Sequence, residues 1–181
     1  MSFDTASVRN VEIKARLGDK KAFQRRIQIA RKLTGSDGEI IKQRDVFFNS
    51  LKGRLKLRYL ENKKSELILY YRPNVGGPKI STFHKIDLDQ PEVLETILTE
   101  SAGRVGEVRK QRHFYLHDRT RIHLDDVEVL GHFLEFEVVL KPEETLEDGS
   151  AVVRELMKVF EIEDEDFIVG AYMDKLLNLD K

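Results

Sequence analysis

The chain has 181 residues, 40% hydrophobic and 35% charged, with 31 Lys plus Arg against 32 Asp plus Glu and a formal net charge of −1. That length suits one domain with a substantial core, and a net charge so near zero excludes a long-range field drawing the protein to nucleic acid or an anionic membrane. With no cysteine there is no disulfide, thiolate metal site or cysteine nucleophile, and no apolar run reads as a signal peptide or reaches the ~20 residues of a membrane span.

A cytoplasmic protein with neither membrane nor nucleic-acid partner is therefore expected, and a homodimer through exposed apolar patches is compatible with the sequence. Residues 1–9 read as a leader and residues 10–178 as a single domain. Residues 10–17 alternate strictly, with Glu12, Lys14 and Arg16 on one face and Val11, Ile13, Ala15 and Leu17 on the other, as a half-buried strand does. Asp19 caps a helix whose stripe is Phe23, Ile27, Ala30 and Leu33. Residues 40–49 form a second strand, with Gln43, Asp45 and Phe47 in one register. Residues 54–60 form a third, placing Arg54, Lys56 and Arg58 together.

Strands follow at 66–72, where Ile68, Tyr70 and Arg72 share a face, and at 79–88, with Lys79, Ser81, Phe83 and Lys85 in register. Pro91 opens a helix with Leu94, Ile97 and Leu98 as its stripe. Three more strands are expected. Residues 106–116 carry Val108, Lys110, Arg112 and Phe114; 120–128 carry Arg121, His123 and Asp125; 133–140 set Glu135 and Glu137 opposite Leu134, Phe136, Val138 and Leu140. After an acidic loop at 142–149, Ser150 caps a helix over 151–160, and a last helix spans about 166–178.

Eight strands joined by short loops point to an antiparallel sheet, and the amphipathic helices need an apolar surface to cover. The apolar strand faces are that surface. The charged faces then line the inside of an α+β fold, an eight-stranded antiparallel β-barrel wrapped by helices. Nine bases fall on the inward face, namely Lys14, Arg16, Lys56, Arg58, Arg72, Lys79, Lys110, Arg112 and Arg121. Four acids, Glu12, Asp125, Glu135 and Glu137, share it, leaving an excess of five positive charges. Confined cations repel and lose hydration unless a polyanion fills the space, and arginine forks match phosphate oxygens. The carboxylates make sense beside phosphate if a hard divalent cation, Mg²⁺ or Mn²⁺, bridges the two. The five histidines show no zinc spacing; His123, on the face of Asp125, is expected to support the site or be solvated rather than to ligate a metal.

The order of these motifs resembles the CYTH proteins, the triphosphate tunnel metalloenzymes. Glu12-Ile-Lys14 matches the second half of their Glu-x-Glu-x-Lys signature. Gln43-x-Asp45, Lys56-x-Arg58, Tyr70-x-Arg72-Pro, Lys79-x-Ser81, Lys110-x-Arg112, Arg121-Ile-His-Leu-Asp125 and Glu135-x-Glu137 follow in family order. The resemblance implies a tunnel whose basic walls hold a small-molecule triphosphate (tripolyphosphate, thiamine triphosphate or ATP). Glu12, Asp125, Glu135 and Glu137 would be its metal ligands. Lys14, Lys56, Arg58, Lys110, Arg112 and Arg121 would be its phosphate ligands, joined by Arg72 and Lys79. Metal-dependent triphosphate hydrolysis is the expected activity, with Glu12, Lys14, Glu135 and Tyr70 as its catalytic residues. Class IV adenylyl cyclase chemistry and non-catalytic triphosphate binding are the alternatives. Asn10 stands where the signature has its first glutamate, which removes one negative charge and favours a single metal or a binding role.

Overall fold

A computed structural model describes residues 8–179. Eight strands, β1 (Val8–Arg16), β2 (Glu39–Phe48), β3 (Arg54–Leu60), β4 (Ser65–Tyr71), β5 (Lys79–Leu88), β6 (Arg104–His117), β7 (Thr120–Val127) and β8 (Gly131–Val139), close into an antiparallel barrel in the order β1-β5-β4-β3-β2-β6-β7-β8. Neighbours in sequence pair except at two seams: β1 lies between β5 and β8, and β2 pairs with β6. The antiparallel α+β barrel expected from alternation is thus the fold.

Four helices complete it: α1 (Lys20–Thr34), α2 (Pro91–Ser101), α3 (Leu146–Phe160) and α4 (Tyr172–Leu179). Among the described residues no helix is long and apolar enough to cross a membrane. Asp19 caps α1 by accepting from the Ala22 amide at 2.9 Å, and Gly35 ends it in the left-handed region. The stripes of α1 and α3 meet Val11, Ile13, Ile122, Leu124, Leu134, Phe136 and Val138 on the outer faces of β1, β7 and β8. Phe136 and Phe160 cross edge to face there, 5.1 Å between centroids. Each such side chain contributes about 1.5–3 kcal/mol by leaving water. Leu94 and Leu98 of α2 cover Val46, Phe48 and Leu57 on β2 and β3. The core therefore lies outside the barrel wall, and the interior is left to polar side chains.

Several boundaries differ from expectation. β1 begins at Val8, inside the expected leader, whose residues 1–7 lie outside the described ones. α3 starts at Leu146 because Thr145 and Asp148 form a capping box; Ser150 instead bonds back to the Leu146 carbonyl at 2.6 Å. Gly149, taken as a loop residue, lies within α3, where it lets the helix approach Val11. The expected single C-terminal helix is broken. A 3-10 turn, Asp164–Asp166, leads into extended backbone in which Phe167 bridges Ala15 and the Ile168 amide donates to the Lys14 carbonyl at 3.0 Å. Gly170, at φ +82°, then turns the chain into α4.

That break closes the barrel at one end. Ile168, Tyr172 and Met173 pack with Phe47, Val108, Val127, Leu130 and Phe133 at the end where β1, β2 and β7 finish. Arg54, at the start of β3, ties α4 down through Asp174 at 2.6 Å. The opposite end, where β1, β2 and β7 begin, carries Glu39, Lys63, Glu66 and Lys85 around Ile41, Leu60, Phe83 and Phe114.

Candidate active site

Inside the barrel is a cavity of about 540 Å³. Period-2 alternation sends every second side chain of each strand into it. Among the described residues its walls carry nine bases: Lys14, Lys56, Arg58, Lys63, Arg72, Lys85, Lys110, Arg112 and Arg121. Six acids join them, Glu12, Glu39, Asp45, Glu66, Glu135 and Glu137, leaving an excess of three. The expected excess of five shrinks because Arg16 and Lys79 do not line the space; Asp45 takes the place of Asp125 among the acids, and the mouth matches Glu39 and Glu66 with Lys63 and Lys85. Arg16 is exposed beyond the closed end, donating to the Leu130 carbonyl at 3.1 Å over the Phe133 ring. Lys79 is buried with its ammonium on the Val75 carbonyl at 3.0 Å, pinning the loop before β5.

The deepest charge is Asp125, with no exposed surface. It also lies behind the wall rather than on it. Arg112 grips it bidentately through Nε and Nη2, both at 2.7 Å, Lys110 donates at 3.2 Å and the Tyr172 hydroxyl at 3.0 Å. Burial opposes its ionisation, but Arg112 and Lys110 outweigh that and hold the carboxyl far below the usual range. With three donors on Oδ2 and Arg112 Nε on Oδ1, Asp125 is engaged in orienting cations in this state rather than standing open to a metal. Asp45 plays the same part on the other side of β6, accepting from Lys56 at 2.9 Å and from Arg58 at 2.8 and 2.9 Å.

The bases these acids hold are not all ordinary. Burial, reinforced by Arg112, brings Lys110 down to about 7, and burial with Arg58 beside it brings Lys56 down to about 8. Lys14 sits 3.9 Å over the Tyr172 ring and 3.2 Å from Glu135. Two buried polar atoms in the cavity wall, Arg72 Nε and Gln43 Oε1, have no hydrogen-bond partner among the described residues. Buried groups of this kind are rare unless a ligand completes them.

Three glutamates converge on the β1–β8 seam, where Glu12 pairs with Glu137 and Lys14 with Glu135. Glu12 meets Arg72 at 2.5 Å, yet burial and the charge of Glu135 raise its affinity for a proton. Glu135 stays ionised against its burial through Lys14 and a contact with His123. Glu137 holds Arg121 at 2.8 Å. His123 is buried with Nδ1 3.4 Å from Glu135 and 3.8 Å from Glu137. Its imidazole and these two carboxylates each present an atom within 4.8 Å of the others, a set able to hold a metal ion. Asn10 accepts from Arg121 Nη2 at 2.8 Å when its amide oxygen faces that group, so it steadies a base at this seam.

Of the sequence-derived set, the barrel thus brings Glu12, Lys14, Lys56, Arg58, Tyr70, Arg72, Lys110, Arg112, Arg121, Glu135 and Glu137 to one cavity. Sequence reasoning missed Tyr172, whose strand-like partners are far away in the chain. It undervalued Asp45 and His123, although both were in register with the inward face.

The model of the CYTH domain matches residues 9–172. A search of curated proteins finds no match. Among solved structures, a conserved hypothetical protein from Pyrococcus furiosus superposes with TM-score 0.74 at 19% identity, covering 91% of this chain and 98% of that one. A candidate adenylate cyclase from Vibrio parahaemolyticus gives 0.72 at 17%, covering 93% and 97%. A candidate adenylyl cyclase from Hippeastrum, described as having a dominant triphosphatase activity, gives 0.65 at 18%, covering 95% and 96%. These identities speak for a shared barrel, and the domain match spans nearly the whole chain: the protein belongs to the CYTH domain family.

Proposed function

We propose that the protein hydrolyses a linear triphosphate, held lengthwise in the barrel, in a reaction that depends on Mg²⁺ or Mn²⁺. The observation that carries this reading is the basic cavity itself, with Arg72 Nε buried in its wall and without a partner among the described residues. Phosphoryl transfer asks mainly for positioning and charge stabilisation, and the walls supply both. Lys14, Lys56, Arg58 and Arg121 reach the phosphate oxygens from three strands. Arg112, whose Nε and Nη2 are fixed by Asp125, keeps Nη1 for a phosphate oxygen, and Lys110 takes a proton as the anion enters. The plug around Tyr172 excludes water from the closed end, so the terminal phosphate lies there and any substituent points to the mouth.

Glu12, whose carboxyl has a raised proton affinity, is placed to accept the proton of an attacking water. Tyr70 is pushed up to about 12 by burial; it therefore stays protonated and serves as a donor, not a base. A divalent ion held by Glu135 and Glu137 would supply charge neutralisation and polarisation of phosphoryl oxygens.

At the mouth, half-buried Ile41, Leu60, Phe83 and Phe114 line the cavity. They offer apolar contact that inorganic tripolyphosphate cannot use, which favours an organic triphosphate. The test is phosphate release from tripolyphosphate, thiamine triphosphate and ATP with Mg²⁺ or Mn²⁺. Release that matches a Glu135→Gln/Glu137→Gln control would end the proposal. Cyclic AMP and pyrophosphate from ATP would select the cyclase instead, and tight binding without turnover a binding module.

A further inference from the structure

His123 stands at the metal-binding seam but has no part in holding phosphate. It lies between Arg121 and Asp125 on β7, and alternation turns all three inward. The two flanking residues are committed, Arg121 to Glu137 at 2.8 Å and Asp125 to Arg112, Lys110 and Tyr172. His123 is 4% exposed, and its Nδ1 lies 3.4 Å from Glu135 and 3.8 Å from Glu137.

Glu135 is itself shared, with Oε1 3.2 Å from Lys14 and Oε2 3.2 Å from Arg112 Nη2, while Glu137 meets Arg121 through Oε2 and turns Oε1 toward His123. Glu12 gives Oε1 to Arg72 at 2.5 Å, and Asp125 carries three donors on Oδ2 alone. A cation with bonds of about 2.1 Å spans neighbouring donors roughly 3.0–3.4 Å apart. The His123 Nδ1 to Glu135 Oε2 distance of 3.4 Å already meets that, and Glu137 Oε1, at 3.8 Å, needs a movement of a few tenths of an ångström.

We infer that the metal of this site is held by one imidazole nitrogen, His123 Nδ1, together with Glu135 and Glu137. The site therefore selects a borderline first-row ion such as Co²⁺ or Mn²⁺ over Mg²⁺. Nitrogen donors strengthen binding along the first-row series, whereas Mg²⁺ prefers oxygen and retains its waters. Three protein donors leave the remaining positions open on the cavity side. The inference rests on the metal-dependent reading above, and adds the identity of one ligand and the order of affinities.

Calorimetry on the full chain without nucleotide should give affinities in the order Co²⁺, Mn²⁺, Mg²⁺, with Mn²⁺ at least tenfold tighter than Mg²⁺. Electron spin-echo spectroscopy of the Mn²⁺-loaded wild type should show a directly coordinated ¹⁴N. In His123→Asn, with an unchanged circular dichroism spectrum, that coupling should vanish and the Mn²⁺/Mg²⁺ ratio should fall to about threefold or less. Mn²⁺ bound to the wild type without nitrogen coupling overturns the inference even if His123→Asn fails to fold. So does coupling that persists in the variant. Either result, with metal-dependent phosphate release intact, leaves the hydrolase reading standing; absence of any metal binding removes both.

Discussion

Replacing Asp125 by asparagine tests whether this carboxylate is the internal counter-ion of the barrel or a metal ligand. The wild-type side chain carries the bidentate Arg112 fork at 2.7 Å, Lys110 at 3.2 Å and the Tyr172 hydroxyl at 3.0 Å. The asparagine is nearly the same size but uncharged, and its amide hydrogens face cationic donors. Removing one member of a buried ion pair costs about 3–5 kcal/mol, because the partner stays buried without compensation. For a chain of this size each kcal/mol moves the melting temperature by about 2–4 °C, so a fall of roughly 6–20 °C is expected. The sign of the pH dependence is also set. The folded carboxyl lies below its unfolded value of about 3.9, so its contribution is complete above pH 5 and fades as pH falls through the folded value. The melting curves of wild type and variant should therefore converge in acid. Thermal unfolding at pH 7.5, with and without tripolyphosphate, is the assay. Tripolyphosphate should raise the variant's midpoint at least as much as the wild type's, since the anion replaces the lost charge, and Mn²⁺ affinity should change less than about threefold. A midpoint within 2 °C of wild type together with lost Mn²⁺ binding would refute the reasoning.

Three other outcomes follow from the same geometry. Lys110 at about 7 and Lys56 at about 8 are largely and half neutral at pH 8, so binding a triphosphate should take up about one to one and a half protons. Calorimetric enthalpies in two buffers of different ionisation heat measure this, Lys110→Met should remove about one proton, and equal enthalpies would contradict it. In Gly149→Ala the added Cβ would sit 2.4 Å from Val11 Cγ2 and 2.7 Å from its Cβ. The overpacking, about 1–3 kcal/mol, should exceed the gain of about 1 kcal/mol in helix propensity and lower the urea midpoint. Arg16→Ala, on an exposed side chain bonded to Leu130, should change the dissociation constant for tripolyphosphate by less than about twofold. Arg72→Met should weaken it at least tenfold, and similar effects of the two would disprove the assigned inside and outside.

The inward face of the barrel was legible in the sequence because alternation is local. Glu12 and Lys14, Lys56 and Arg58, Lys110 and Arg112, and Glu135 and Glu137 each lie two residues apart, and helices with apolar stripes had only the opposite strand faces to cover. Nothing local distinguishes Arg16 from Lys14, however. The first lies past the end of the cavity and the second inside it, a difference made by where Ile168 and Tyr172 cross the barrel. The break that sends them there lies in a stretch whose helical apolar spacing suggested one continuous helix. Likewise Asp125 looked like a ligand equal to Glu135 until the β6–β7 register set Arg112 opposite it. Sequence by itself determined which residue types face the interior. Only tertiary structure decided which of those charges neutralise one another and which remain for a ligand, because pairing depends on strand order and register, and these bring together residues distant in the chain.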